Sequence, residues 1–192
     1  MKKTLFIDRD GTIIREPADE QIDSLDKLSF MPGAITALAR IAAETDFELV
    51  MVTNQDGLGT ASFPEDTFWP SHNMIMDTLA GEGVKFAEVF IDRSFPADNS
   101  PYRKPGTAML TQYLAKGVDL KNSFVIGDRQ TDVDLAKNLG CQALFLGKTK
   151  PEGAVMSTTN WNEIYKFLKT IPRKSSVSRK TKETDIYVEV NL

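Results

Sequence analysis

Five short apolar runs, separated by stretches of helical spacing, constrain this chain more than any other feature: TLFID (4–8), ELVMVTN (48–54), AEVFID (87–92), SFVIGD (123–128) and QALFLG (142–147). Each is nearly continuous in apolar residues rather than alternating, which suits strands buried on both faces of a parallel sheet. The intervening and following segments PGAITALARIAAE, SHNMIMDTLAGEG, PGTAMLTQYLAKG, TDVDLAKNLG and NWNEIYKFLK read as helices. The first carries Ile35, Leu38, Ile41 and Ala42 on one stripe, as a helix lying on a sheet does. The last opens on Asn160 with Glu163 three residues later, close to a capping box. Alternating strands and helices predict βαβ units and an α/β fold with a doubly wound, mainly parallel sheet in three layers.

At 192 residues the chain is expected to hold one domain with a short appendage. A net charge of −4 offers no basic face for nucleic acid. The opening MKKTLFIDRD reaches an acid too soon for a signal peptide. No apolar run approaches the roughly 20 residues that span a bilayer. One cysteine, Cys141, excludes an internal disulfide and a multi-cysteine zinc site. These features lead to the expectation of a cytoplasmic protein that meets neither nucleic acid nor membrane.

The first run ends in Asp8-Arg9-Asp10-Gly11-Thr12. A buried strand ending this way puts two carboxylates and a tight turn at the carboxyl edge of a sheet, where open α/β sheets bind ligands. Two acids so close repel unless a cation or a shared proton holds them, which points to a hard metal such as Mg²⁺. A calcium loop would need Glu at its twelfth position, where this chain has Asp19.

Asp8-x-Asp10-Gly11-Thr12 resembles the first motif of the haloacid-dehalogenase-like (HAD) phosphohydrolases. Three more of that family's motifs follow in order, each at a predicted strand end or before a helix: Thr53-Asn54, Lys104 in YRKPG, and Asp128 with Asp132 in GDRQTD. The resemblance implies Asp8 as the nucleophile, forming an aspartyl phosphate, and Asp10 as the general acid and base. It implies Thr53 and Asn54 as donors to the phosphoryl oxygens, Lys104 as the neutralising cation and Arg103 as a second one. Mg²⁺ would sit on Asp8, Asp128 and the Asp10 main-chain carbonyl, with Asp132 in support. The gaps between motifs are too short for a separate cap domain, so a capless HAD-like fold is expected.

FIDRDGTII, VTNQDGLGTASFP and FPADNSPYRKP are similar to the histidinol-phosphate phosphatase branch of that family. Members of the branch often form the N-terminal half of bifunctional histidine-biosynthesis proteins, with imidazoleglycerol-phosphate dehydratase as the other half. The tail resembles the start of that dehydratase through Arg179, Thr181, Glu183, Thr184 and Ile186. The implied organisation is a phosphatase domain over 1–168, an exposed linker over 169–182 and the truncated start of a fused dehydratase domain over 183–192. The implied reaction is hydrolysis of a small phosphate ester, L-histidinol phosphate. Its amine would pair with Glu16 or Asp56, and its imidazole would stack on Phe63, Phe68 or Trp69; His72 has no implied role. The branch usually carries a zinc loop, but the ligand positions here hold Asp92, Ser94, Ser100 and Tyr102, so zinc is not expected. The alternatives are another capless HAD phosphatase, acting on heptose 1,7-bisphosphate or a nucleic-acid 3′-phosphate end, and a non-catalytic scaffold domain.

Overall fold

A computed structural model describes residues 2–115, 117–171, 174–181 and 183–191. The strands β1 (Lys3–Ile7), β2 (Phe47–Asn54), β3 (Phe86–Asp92), β4 (Phe124–Gly127), β5 (Gln142–Leu146) and β6 (Ala154–Thr158) form one sheet in the order β3-β2-β1-β4-β5-β6. Every pairing in it is parallel. From β1 the chain winds outward through β2 and β3, then returns to β4 and winds the other way. The switch point thus lies between β1 and β4, where open parallel sheets part their carboxyl-end loops into a crevice.

The sheet is covered on both faces. Leu5 and Ile7 of β1 join a core with α1 (Ala34–Glu44), α2 (Glu65–Gly81) and α4 (Trp161–Lys169). Phe6 points into a second core with α3 (Gln130–Leu139) and Leu110 and Tyr113 of a 3₁₀ segment, Ala108–Leu114. Alternate residues of one strand thus serve opposite layers, which is why the run reads as continuously apolar. No separate cap stands between β1 and α1; that connection carries only a 3₁₀ turn, Leu25–Lys27, and short bridges such as Ile14 to Phe30.

Several elements differ from expectation. The sixth strand, AVMST, has only its end residues Ala154 and Thr158 buried, so it lacks the apolar run that marks the others. Helix α2 starts at Glu65 and runs through Pro70, whose ring removes one intrahelical hydrogen bond. PGTAMLTQYLAKG forms the 3₁₀ segment, broken at Leu110, rather than an α-helix; its buried anchors Leu110 and Tyr113 lie three apart, the period of a 3₁₀ turn. On α4, Asn160 caps the Asn162 N–H at 2.9 Å, while Glu163 accepts from the Thr158 hydroxyl, so no capping box forms. Residues 174–180, expected within a linker, are strand β7 (Lys174–Lys180), paired antiparallel with β8 (Asp185–Asn191) in a separate two-stranded sheet. Their Val, Ile and Tyr content suits a pleated backbone. Pro172, Arg173 and Lys182 of the expected linker lie outside the described residues.

Candidate active site

The turn after β1 is shaped by Gly11, whose φ of +72° favours glycine. A Cβ there would also collide with the Asp128 carboxylate. At the end of β4, a Cβ on Gly127 would collide with the side chain of Asp132. Two glycines therefore let three carboxylates converge: oxygens of Asp8, Asp128 and Asp132 lie within 4.8 Å of one another.

Lys104 is inserted into this cluster. Its Nζ donates to Asp8 Oδ1 at 2.5 Å and to Asp132 Oδ1 at 2.8 Å, and the residue is only 5% exposed. Asn54 fixes the backbone beneath it, its Oδ1 accepting from the Lys104 N–H at 3.0 Å. Burial pulls the lysine pKa down, but Asp132 and Asp8 outweigh it, and Lys104 ends above the ordinary lysine range. Burial pushes the Asp8 carboxyl well up, opposed by Lys104 and assisted by Asp132 and Asp10. Burial, then Asp132 and Glu16, raise Asp128 to about 6. Three acids against one lysine leave the cluster short of positive charge.

The oxygens differ in what they have left to offer. Asp132 is engaged at both, by Lys104 and by the Arg129 N–H at 3.1 Å. Asp8 Oδ2 accepts only a long 3.3 Å contact from the Thr12 hydroxyl. Asp128 Oδ1 is buried with no hydrogen-bond partner among the described residues. An orphaned carboxylate oxygen beside a weakly engaged one fits a hard divalent cation, which takes oxygen ligands.

Asp10 faces the same cavity, of about 250 Å³, whose lining includes Asp8, Asn54 and Lys104. Its carboxylate is held by Arg9 and Gln55, two residues that sequence reasoning did not place in the site. The available signal was an arginine flanked by two aspartates at the end of a buried strand, since a buried charge requires partners. Thr53 is fully buried, and its hydroxyl accepts from Gln55 Nε2 at 2.8 Å.

The outer lining carries four acids, Glu16, Asp19, Glu20 and Asp56, and two arginines, Arg103 and Arg129. Arg129 grips Glu16 through contacts of 2.7 Å to both oxygens. Arg103 pairs with both oxygens of Asp56. Both acids considered for a substrate amine are thus already partnered by arginine. Phe63 and Phe68 are buried against each other, with Trp69 packed on them, and none lines the cavity. His72 lies inside α2, stacked on Phe68 at 5.2 Å, and burial lowers its pKa to about 4. In the loop after β3, Asp92 accepts from the Ser94 hydroxyl at 2.6 Å, Ser100 accepts from the Tyr102 N–H, and Arg103 donates to the Ser94 carbonyl at 3.0 Å.

A family model described as HAD-hydrolase-like matches residues 101–161, the segment holding Lys104, Asp128 and Asp132. The chain is 56% identical to the "Histidine biosynthesis bifunctional protein HisB" of Spirosoma linguale, over all of this chain and 55% of that protein. It is 53% identical to the protein of the same name from Bacteroides fragilis, over 54% of its length. The chain thus spans about half the length of the curated relatives it matches. Among solved structures it is similar to D,D-heptose 1,7-bisphosphate phosphatase from B. bronchiseptica, complexed with magnesium and phosphate. That likeness has a TM-score of 0.75 and 25% identity, covering 86% of this chain and 97% of the other. The corresponding enzyme from Burkholderia thailandensis gives a TM-score of 0.56 at 22% identity, covering 88% and 99%.

Proposed function

We propose that this chain, which a HAD-hydrolase-like family model matches over residues 101–161 and which resembles bifunctional histidine-biosynthesis proteins along its whole length, hydrolyses L-histidinol phosphate to L-histidinol and phosphate. The observation that carries this reading is Lys104 bridging Asp8 and Asp132 beside the unpartnered oxygen of Asp128, at the sheet's switch point. Asp8 attacks phosphorus, the bond from phosphorus to the ester oxygen breaks, and Asp10 gives its proton to the departing oxygen. Asp10 then takes a proton from water as that water attacks phosphorus, and the bond to Asp8 breaks. Lys104 offsets charge on Asp8 and on the transferring group. Asn54 sets the lysine's backbone, Thr53 anchors Gln55, and Arg103, which lines the cavity while pairing with Asp56, is assigned as the second cation for the phosphate. Mg²⁺, held by Asp8, Asp128 and the Asp10 main-chain carbonyl, would supply further stabilisation of phosphoryl charge.

In the outer lining Arg129 partners Glu16, Arg103 partners Asp56 and Lys27 partners Asp19, so the assignment of an amine and imidazole to the substrate's far end rests on the likeness to the histidine-biosynthesis proteins. Glu16 can take the amine only by exchanging it for Arg129. Residues 1–168 form the phosphatase domain in this reading, and β7 and β8, which pair with each other in a sheet of their own, belong together to the start of a dehydratase-like domain. The relatives' bifunctional names and the tail pattern around Arg179 to Ile186 support this division. Fold likeness to heptose bisphosphate phosphatases favours that substrate as the second reading.

The test is phosphate release from L-histidinol phosphate by metal-stripped protein, with and without Mg²⁺. A heptose bisphosphate and an aryl phosphate serve as comparators. Mg²⁺-dependent turnover that favours histidinol phosphate, and vanishes in Asp8→Asn, is the expected result. Equal slow turnover of all three would refute the substrate, and none at all would favour a scaffold domain.

A further inference from the structure

Asp10 is held at both of its carboxyl oxygens. Its Oδ1 accepts from Arg9 Nε at 3.1 Å and Nη2 at 3.0 Å. Its Oδ2 accepts from Gln55 Nε2 at 2.5 Å. The ring closes because Arg9 Nη2 also donates to Gln55 Oε1, at 3.1 Å. Gln55 is fixed in turn: its side chain donates to Thr53 Oγ1 at 2.8 Å and its N–H to the Asp92 carbonyl at 2.7 Å. Strands β1 and β2 therefore both fix where this carboxyl points.

The arginine is unusual energetically. Arg9 is 0% exposed, and its guanidinium lies 4.7 Å over the ring of Phe68, itself fully buried. Its Nη1 finds no hydrogen-bond partner among the described residues. Burying a guanidinium with one nitrogen unsatisfied costs stability that an apolar side chain of similar volume would not. Such expense in a fold is typical of sites where geometry matters more than stability. The planar fork of arginine on an aromatic platform gives an orientation that a lysine would not.

We propose that Arg9 and Gln55 are positioning residues that aim the Asp10 carboxyl at the oxygen leaving phosphorus. This deepens the phosphatase reading and rests on Asp10 acting there as the acid. The consequence is selective. An alkoxide cannot leave without a proton, whereas a nitrophenolate can. Misaiming Asp10 therefore slows alkyl esters and spares nitrophenyl esters. The ratio kcat/KM ends at the first irreversible step, transfer to Asp8, so attack by water does not enter it.

The experiment measures kcat/KM for L-histidinol phosphate and for para-nitrophenyl phosphate, with saturating Mg²⁺, in Gln55→Leu, Arg9→Lys and Asp10→Asn. The positioning variants are expected to lose about 100-fold on the alkyl ester, the cost of a misplaced catalytic group, and less than about threefold on the aryl ester. Should Arg9→Lys fail to fold, Gln55→Leu decides alone. Equal losses on both esters, or no loss on either, in a folded variant would overturn the proposal. If Asp10→Asn itself loses equally on both, the reading of Asp10 as the acid fails, and the proposal falls with it. A selective loss in Asp10→Asn without one in Gln55→Leu overturns the positioning role alone.

Discussion

Replacing Asp128 with asparagine should stabilise the metal-free protein while abolishing its response to Mg²⁺. Burial, then Asp132 and Glu16, raise this carboxyl from 3.8 to about 6, against a pull from Arg129 in the other direction. An acid with a folded pKa above its unfolded value binds more protons when folded, so its ionisation opposes folding. The penalty is absent below about pH 4, grows as pH rises to about 6, and is complete above that. The rise is worth about 3 kcal/mol at pH 7 and about half of that at pH 5. Asp128 is half-buried, and screening by solvent brings the expected gain of Asp128→Asn to about 2 kcal/mol at pH 7.5. In a chain of this size that is about 4–8 °C in Tm. Urea unfolding of both proteins in chelator, at pH 5 and pH 7.5, reads the gain directly. Mg²⁺ at a hundredfold excess over its Kd should then stabilise the unmodified protein by about 2.7 kcal/mol and the variant by little. A variant no more stable than its parent in chelator at pH 7.5, or a larger gap at pH 5, would refute the argument.

Gly11→Ala meets both a left-handed backbone and a collision with the Asp128 carboxylate; a loss of about 2–4 kcal/mol in urea unfolding is expected, with turnover abolished. His72, brought down to about 4 by burial and then by Arg9, takes up a proton in the unfolded chain first. The His72 contribution should therefore fall by about 3 kcal/mol as pH drops from 7 to 4, opposing the gain from Asp128 over the same range, and His72→Phe should gain relative to its parent by that amount; an unchanged difference between the two proteins would exclude a role for His72. Burial pushes the Cys141 thiol up to about 12, so a disulfide reagent at pH 8 should label it slowly when folded and rapidly in urea. Fast labelling of the folded protein would contradict the burial.

The strand ends were legible because two-sided burial makes a local signature: β1, β2 and β4 read as apolar runs, and a charged residue directly after such a run stands out. Asp8 and Asp128 could be placed on that basis, whereas Lys104, twelve residues beyond the end of β3, was reached only through the resemblance to the HAD motifs. Strand β6 escaped because three of its five residues are incompletely buried, and the start of α2 was hidden by Pro70. Phe63 and Phe68 looked like loop aromatics free to stack on a ligand, yet they fill a small core of their own. The arginine partners of Glu16 and Asp56 are remote in sequence, 113 and 47 residues away, and no local pattern announces such pairs. Arg9 and Gln55 were missed for the same reason at closer range. Their ring around Asp10 exists only because β1 and β2 are neighbours with Ile7 opposite Met51, a register that carried two residues onward sets Arg9 beside Thr53. Hydrophobic period identifies a strand but is silent on which strand lies next to it. Which acid sits at a strand end is thus a local property, while what aims that acid follows from the order of the sheet.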